Sequence, residues 1–290
     1  MSRYGLVLGV LVCIIGVLVH RAMFSDVSAP PADFGSGGMF DMIARRYDTI
    51  NRVLAVGMDL GWRKRMVEFV RDGTLESSHP RILDVATGTA DVALLLADRI
   101  PAATILGADP SPNMLRVGRE KIVDRGFSDR ITLEEHDARK GFGDIEDNSF
   151  DAATMAFGIR NIVEKGQALC QIHRVLRDQS LFCILEFSEP DDSFGILGAV
   201  ARFFIRNIIP TLGGILSGKP REYLHLQNSI KDFPTPPEFV KLIENTQCTT
   251  GNFKVDELVQ LNFGSVQLYV SRVLRKRPEH DEHDDVKLEE

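Results

Sequence analysis

The sequence predicts an α/β fold, a mostly parallel sheet with crossover helices. Three observations point there. From Arg81 onward, short apolar runs rich in β-formers alternate with helical patterns, as strands joined by crossover helices do. The first of those runs ends in a turn of small residues from which a helix starts directly. The composition is globular: 44% hydrophobic and 26% charged over 290 residues, enough for one large domain or two small ones. No internal repeat is visible.

Taken in order, residues 5–19 (GLVLGVLVCIIGVLV) carry no charge between Arg3 and His20-Arg21. They fall short of the roughly 20 apolar residues that span a bilayer, unless Tyr4 and Ala22 to Phe24 extend them. Residues 1–24 therefore read as a signal segment or an anchor. Val27-Ser28-Ala29 offers small residues for cleavage, but Pro30 disfavours the cut, which favours an uncut anchor. A buried first helix of the fold is the alternative. Residues 25–38, rich in Pro, Gly and Ser, form a linker, and the body runs over 39–278.

Within the body, candidate strands are 81–86, 104–109, 131–136, 150–156 and 181–187. Helical patterns lie at 92–99, 112–124 and 164–176; in the last, Ala168, Leu169, Ile172, Val175 and Leu176 recur as one core face. Residues 251–261 and 265–274 read as a final antiparallel pair, which brings the sheet to seven strands. Residues 192–237 interrupt the alternation as an inserted helical cap. Residues 279–290 hold seven acids against Lys287, a local net of −6 out of the chain's −7, and read as a solvated disordered tail. The near-neutral remainder argues against a nucleic-acid binder, which would show a basic stripe. Cys13, Cys170, Cys183 and Cys248 are widely spaced with no CxxC, so neither a disulfide framework nor a zinc site is expected.

The stretch from Ile82 to Asp91 (ILDVATGTAD) is the most informative. At the carboxyl edge of an α/β sheet, where ligands bind, Gly88 with small Thr87, Thr89 and Ala90 lets the backbone approach a ligand closely. GxGxxG is absent, which counts against NAD or FAD. Asp109 ends the second strand, about twenty residues on, where an acid suits a ribose diol. Asp137 and Ala138 close the third strand, an acid for an adenine amine and a small residue that leaves room for its ring. The residues describe a site for a nucleoside-containing ligand without pyrophosphate. A plain strand–turn–helix with Asp84 and Asp91 as capping acids is the competing reading.

Further motifs are Arg46-Tyr47-Asp48-Thr49-Ile50-Asn51 followed by Gly57 and Trp62-Arg63, Asp147-Asn148-Ser149-Phe150-Asp151, Ala156-Phe157-Gly158-Ile159-Arg160-Asn161, and Leu185-Glu186-Phe187-Ser188. With the loop, they resemble the class I S-adenosylmethionine-dependent methyltransferases, and more narrowly the C-methyltransferases of ubiquinone and menaquinone biosynthesis. The resemblance covers about Met39 to Val273. It departs at Arg177-Asp178-Gln179-Ser180, where the family has Lys-Pro-Gly-Gly in what reads as a surface turn, and at Ala55, Asp59 and Ala156. The loop and the Ala-Phe-Gly-Ile-Arg-Asn wording lean toward the naphthoquinone branch.

The resemblance implies a Rossmann-like methyltransferase with helices on both faces of the sheet, and S-adenosyl-L-methionine as cofactor. It places Asp84, Gly88 and Thr89 at the cofactor, Gly88 and Thr89 at its methionine end, Asp109 on the ribose, and Asp137 with Ala138 at the adenine. Tyr47, Asp48 and Asn51 would form a lid, with Arg160 and Asn161 facing a lipophilic polyprenyl quinol. Ring methylation needs a hydroxyl to lose its proton and a cation to steady the phenolate; Arg160 suits the second role, unless it is tied to Asp48 or Glu186. Asp48 as proton acceptor is the lesser expectation, and His173 reads as a solvated helix residue. The apolar cap, with Arg202 and Arg206 one turn apart, reads equally as packed core or as an amphipathic surface on a membrane. Expected partners are the quinol, the membrane surface and a quinone-biosynthesis complex, and the expected location is membrane-associated, in the mitochondrial inner membrane or plastid of a eukaryote. A methyltransferase for another lipid and a non-catalytic scaffold subunit are the rival readings.

Overall fold

A computed structural model describes residues 38–276 apart from Lys219, together with Val19 and Ala22. The anchor or signal reading of residues 1–24, most of the linker and the acidic tail lie outside the described residues. In chain order the elements are α1 (Gly38–Leu54), α2 (Asp59–Gly73), β1 (Arg81–Val85), α3 (Asp91–Arg99), β2 (Thr104–Asp109), α4 (Pro112–Asp124), β3 (Ile131–Glu135), β4 (Phe150–Ala156), α5 (Lys165–Val175), β5 (Leu176–Phe187), α6 (Gly195–Phe203), α7 (Ile209–Ser217), α8 (Pro220–Lys231), α9 (Pro236–Asn245), β6 (Gly251–Leu261) and β7 (Val266–Arg275).

The strands order as β3-β2-β1-β4-β5-β7-β6, with β7 antiparallel to both its neighbours. Buried on both faces, the inner strands send successive residues into opposite cores: Ile82 packs with Met66, Val70, Leu94 and Leu115 from α2, α3 and α4, while Leu83 packs with Leu169, Ile172, Phe239 and Ile243 from α5 and α9. Helices thus cover both faces, as expected. Strand order reverses between β1 and β4, so the crevice beyond their carboxyl ends is the switch point where such sheets bind ligands. The helix after β2 starts cleanly: Ser111 caps α4, accepting from the Met114 N–H at 3.2 Å, with Pro112 in the first turn.

Three expectations need correction. Cys170 of α5 and Cys248, just before β6, form a disulfide across a sequence separation of 78; the spacing gave no sign of it because sheet topology brings the two together. His173 is fully buried rather than solvated, its Nδ1 2.6 Å from Thr250 Oγ1 and its Nε2 3.1 Å from Asn252 O. Burial holds its imidazole below the usual histidine range. Lastly, Arg177 to Ser180 do not form a turn before the fifth strand. They lie inside β5 as an irregular bulge, where β4 advances from Phe150 to Ala152 while β5 advances from Leu176 to Leu181, with Gln179 at φ 63°.

The inserted cap is helical, as expected. Among the described residues, its run Asp192–Ser217 is the one helix long and apolar enough to cross a membrane by length and composition, and 22% of its most apolar window is buried. That excludes packed core as its main role. Ile196, Leu197, Val200 and Phe204 are exposed along one helical face. Arg202 is held by Asp192 at 2.8 Å and Arg206 by both oxygens of Glu189 at 2.8 and 2.6 Å.

Candidate active site

The carboxyl ends of β1 and β4 gather unusual backbone. Ala86, Ala90 and Phe157 are non-glycine residues at φ 53°, 64° and 59°, and Gly88 sits at 55°. Left-handed conformations cost a side-chain-bearing residue about 1–2 kcal/mol, so their concentration at one crevice marks a functional edge. A Cβ at Gly88 would meet no heavy atom within 4 Å. The position is kept clear by its backbone geometry, and crowding plays no part.

Two cavities open here. The smaller, about 90 Å³, is lined by Gly88, Asp109, Met114, Asp137, Ala138 and Ile162, among others. The larger, about 290 Å³, is mainly apolar and runs under the cap past Leu54, Leu197, Val200, Phe204, Ile209 and Leu226. Phe40, Tyr47, Phe157 and Asn161 line both, so these four side chains form a shared wall between them.

In the smaller cavity, Asp109 accepts from the Gly88 N–H at 2.8 Å and the Ser111 N–H at 2.9 Å. A carboxylate has about four acceptor positions, so two remain for a diol. Burial pushes this carboxyl up to about 6, against the pull of those two N–H groups. Asp137 is gripped by Arg139, whose Nη2 stands 2.7 Å from Oδ2, and this holds its carboxyl below the usual range. An adenine amine at Asp137 would share that acid with Arg139. Asp84 lies behind the loop and lines neither cavity. Paired in register with Thr154 of β4, it accepts from Thr154 Oγ1 at 2.7 Å and Thr87 Oγ1 at 2.6 Å. Burial raises it to about 6 as well. Asp84 therefore braces the loop from beneath.

Thr89 and Asp48 are also absent from the cavity walls and face each other instead, at 2.6 Å. Lys121 of α4 joins them, 2.9 Å from Asp48 and 2.5 Å from Asp91. Asp41 accepts from the Asn113 N–H at 3.0 Å and from the Ser111 hydroxyl. Helix α1 is thereby fastened to the loop and to α4. Tyr47 and Asn51, one turn apart on the face adjacent to Asp48, both line the larger cavity. Desolvation raises the Tyr47 phenol, although Arg160 and Arg63 pull it down.

Arg160 and Asn161 form a 3-10 turn directly after β4 and both line the larger cavity. Arg160 is tied to Glu186 and not to Asp48: its Nη1 stands 2.6 Å from Glu186 Oε1 and 2.6 Å from the Phe157 carbonyl. Its Nε is buried without a hydrogen-bond partner among the described residues. Glu186, 0% exposed, also accepts from the N–H groups of Arg160 and Phe187. Arg160 thus lines the larger cavity while its Nη1 is committed to Glu186 and to the Phe157 carbonyl. A second cationic group sits nearby: Arg63 is bound to Asp59 at 2.5 Å, with its guanidinium 5.2 Å from the Phe157 ring.

Sequence reasoning missed Lys121, Glu222, Tyr223 and His225. The last three lie on α8 and line the larger cavity, and His225 Nε2 stands 3.3 Å from Asn161 Oδ1. The helical spacing of Glu222, Tyr223 and Ile230, all buried, was the signal that this cap helix faces inward.

Known proteins share this fold and much of this sequence. The sequence profile of the ubiE/COQ5 methyltransferase family matches residues 33–268. A demethylmenaquinone methyltransferase of Thermus thermophilus is 42% identical over 198 residues, 68% of this chain and 86% of the relative. A ubiquinone/menaquinone biosynthesis C-methyltransferase of Geotalea uraniireducens is 40% identical over 202 residues, 69% of this chain and 82% of the relative. Among solved structures, a putative O-methyltransferase from Nostoc punctiforme superposes with a TM-score of 0.56 at 16% identity, covering 90% of this chain and 71% of the other. A putative S-adenosyl-L-methionine-dependent methyltransferase from Methanococcus maripaludis gives 0.55 at 16% identity, covering 83% and 96%. The structures speak to the fold alone. The profile and the close relatives go further: the chain belongs to the ubiE/COQ5 methyltransferase family.

Proposed function

We propose that the chain is an S-adenosylmethionine-dependent C-methyltransferase acting on a ring carbon of a polyprenyl quinol, the naphthoquinol type before the benzoquinol type. One observation carries this reading most of the way: a small, acid-lined cavity at the switch point shares a wall with a large apolar cavity. The residues of the first fit the cofactor. Gly88 leaves room for close approach, Asp109 keeps two acceptor positions for a ribose diol, and Ala138 leaves space for a ring. When bound, the cofactor supplies an electrophilic methyl group on a sulfonium.

The chain's own residues do the rest. Tyr47, Phe157 and Asn161 border both cavities and orient the two ligands toward each other. Arg160, held rigid by Glu186, lines the larger cavity, where a fixed cation favours a phenolate over the phenol. Phe40 and Phe157 keep water from the junction. The relatives' printed names, demethylmenaquinone methyltransferase and ubiquinone/menaquinone biosynthesis C-methyltransferase, support the substrate class.

The larger cavity also suits a lipid tail. Val56, Met58, Leu197, Val200 and Phe263 line it and are exposed at 43–73%, so its mouth opens onto an apolar surface. This supports docking on a membrane, with each large side chain that leaves water contributing about 1.5–3 kcal/mol. Arg202 and Arg206 are already paired within the protein, so apolar contact carries the docking. Calorimetry with S-adenosylmethionine tests the reading. Saturable one-to-one binding is expected; a well-folded sample that binds none refutes it.

A further inference from the structure

We propose that Glu222 reads the oxidation state of the acceptor ring: its carboxylate accepts from a hydroxyl of the reduced quinol and turns away the oxidised quinone. The proposal rests on the quinol methyltransferase reading above and names a specificity-determining residue within it.

Glu222 lies in the first turn of α8, 7% exposed, and lines the larger cavity among mainly apolar side chains. Its Oε2 is shut away from water without a hydrogen-bond partner, and no cation among the described residues pairs with the group. The helix dipole favours an acid in a first turn, which explains the acid but not its burial. Burying a carboxylate unpaired is costly, and native proteins keep few such groups. A ligand that donates to it removes the cost. A half-turn about the last side-chain bond exchanges the two oxygens, so the buried one need not be the one presented.

The other acid of that cavity, Asp59, is taken: Arg52 and Arg63 both bind its Oδ2. The arginines that line the cavity, Arg63 and Arg160, only donate. A guanidinium binds a hydroxyl oxygen and a carbonyl oxygen alike, so Arg160 steadies a ring oxygen without telling quinol from quinone. An ionised carboxylate only accepts. It takes an O–H, which the quinol has and the quinone lacks, and it repels a carbonyl oxygen.

The spacing suits a ring held at both ends. His225, three residues further along α8, stands 3.3 Å from Asn161, the neighbour of Arg160. Glu222 is thus set back from that end by roughly one helical turn, ~5.4 Å, which is close to the span between the two oxygens of a 1,4-quinol. Helix α8 is fixed firmly enough to hold this distance. Tyr223 packs with Ile50 and Leu54 of α1 in a small core of its own, with Ile209 and Leu226 against it. A Cβ on Gly213 of α7 would stand 2.1 Å from the Tyr223 ring, so α7 and α8 meet with no room for a side chain.

The test uses the full chain with the thioether form of the cofactor bound, so that no methyl moves. A demethylated naphthoquinol with a short prenyl tail, and the quinone made from it, are titrated separately without oxygen. Trp62, the chain's single tryptophan, lines the larger cavity and reports binding by its fluorescence. Wild type should bind the quinol about 10- to 100-fold more tightly than the quinone, the range of a hydrogen bond to a charged group. Glu222→Gln offers both an N–H and a carbonyl, so it should close the gap by tightening the quinone about tenfold. Glu222→Leu offers neither and should close it from the other side, weakening the quinol about 10- to 100-fold. In turnover, the Glu222→Leu loss should fall on quinol KM more than on kcat. A structural role for Glu222 would move both ligands together and leave their ratio alone.

A wild type that binds quinol and quinone alike overturns the proposal, as does Glu222→Gln protein that keeps the wild-type ratio within about threefold. Gln matches the volume of Glu, so that variant decides if Glu222→Leu does not fold. A wild type that methylates no quinol overturns this proposal and the functional reading together, whereas one that methylates the quinol yet binds the quinone as tightly overturns this one alone.

Discussion

The Cys170–Cys248 bridge makes a quantitative prediction. It closes a loop with a sequence separation of 78 that contains β5, the whole cap and α9. Cross-linking a loop of that length removes chain entropy from the unfolded state worth about 4.5 kcal/mol at 25 °C. The paired replacement Cys170→Ala with Cys248→Ala should lower unfolding free energy by about that amount and the melting midpoint by about 9–18 °C. The assay is urea unfolding with and without a reductant. Reductant should shift the wild-type midpoint down to that of the double variant and leave the double variant unchanged. Alkylation of the unfolded, unreduced wild type should label Cys183 and spare Cys170 and Cys248. A wild-type midpoint indifferent to reductant, or labelling at Cys170 and Cys248, refutes the reasoning.

Gly88→Ala should cost about 1–2 kcal/mol of stability from its left-handed backbone, yet its larger effect should be on cofactor affinity, read by calorimetry, because the added methyl stands at the smaller cavity. Arg160→Ala should abolish most turnover while cofactor affinity stays near wild type, and it should destabilise the fold by about 3–5 kcal/mol by stranding Glu186; adding Glu186→Gln should recover the stability but not the turnover. Asp84 titrates at about 6 when folded, above its unfolded value, so the folded state binds the extra proton between them. Stability from this group is therefore present below about pH 4 and lost by about pH 6, roughly 3 kcal/mol in all. Asp84→Asn should flatten that part of the pH profile of urea midpoints. Replacing Ile196 and Val200 with Lys, at sites 83% and 60% exposed, should weaken sedimentation with phospholipid vesicles without altering cofactor binding.

What the sequence made legible was what local pattern encodes. Apolar runs at 104–109 and 150–156 became strands with those bounds, and 112–124 a helix, because a strand buried on both faces leaves a short unbroken apolar run and Pro112 marks a helix start; 251–261 kept its bounds as the half-exposed edge strand. Gly88, Asp109 and Ala138 lie together because three parallel strands end at one edge, which the alternation of strand and helix already requires. The pairings of long-range partners were hidden. Asp48 and Thr89 meet across 41 positions, Lys121 joins them from a third element, and Cys170 meets Cys248 only through the β5–β7–β6 end of the sheet. His173 follows Leu169 by four residues on a helix whose core face was recognised, so its burial was legible and was overlooked. His225 sits in the cap, whose packing over the switch point no local pattern reveals.

The shared wall between the two cavities leads most directly to one measurement. Purified protein is incubated with methyl-labelled S-adenosylmethionine and with demethylated naphthoquinol and benzoquinol in separate reactions under reducing conditions, and the products are analysed for ring-bound label. Label on a ring carbon, in the naphthoquinol before the benzoquinol, is the expected result. Protein that binds the cofactor yet labels neither ring contradicts the assignment of the larger cavity to a quinol.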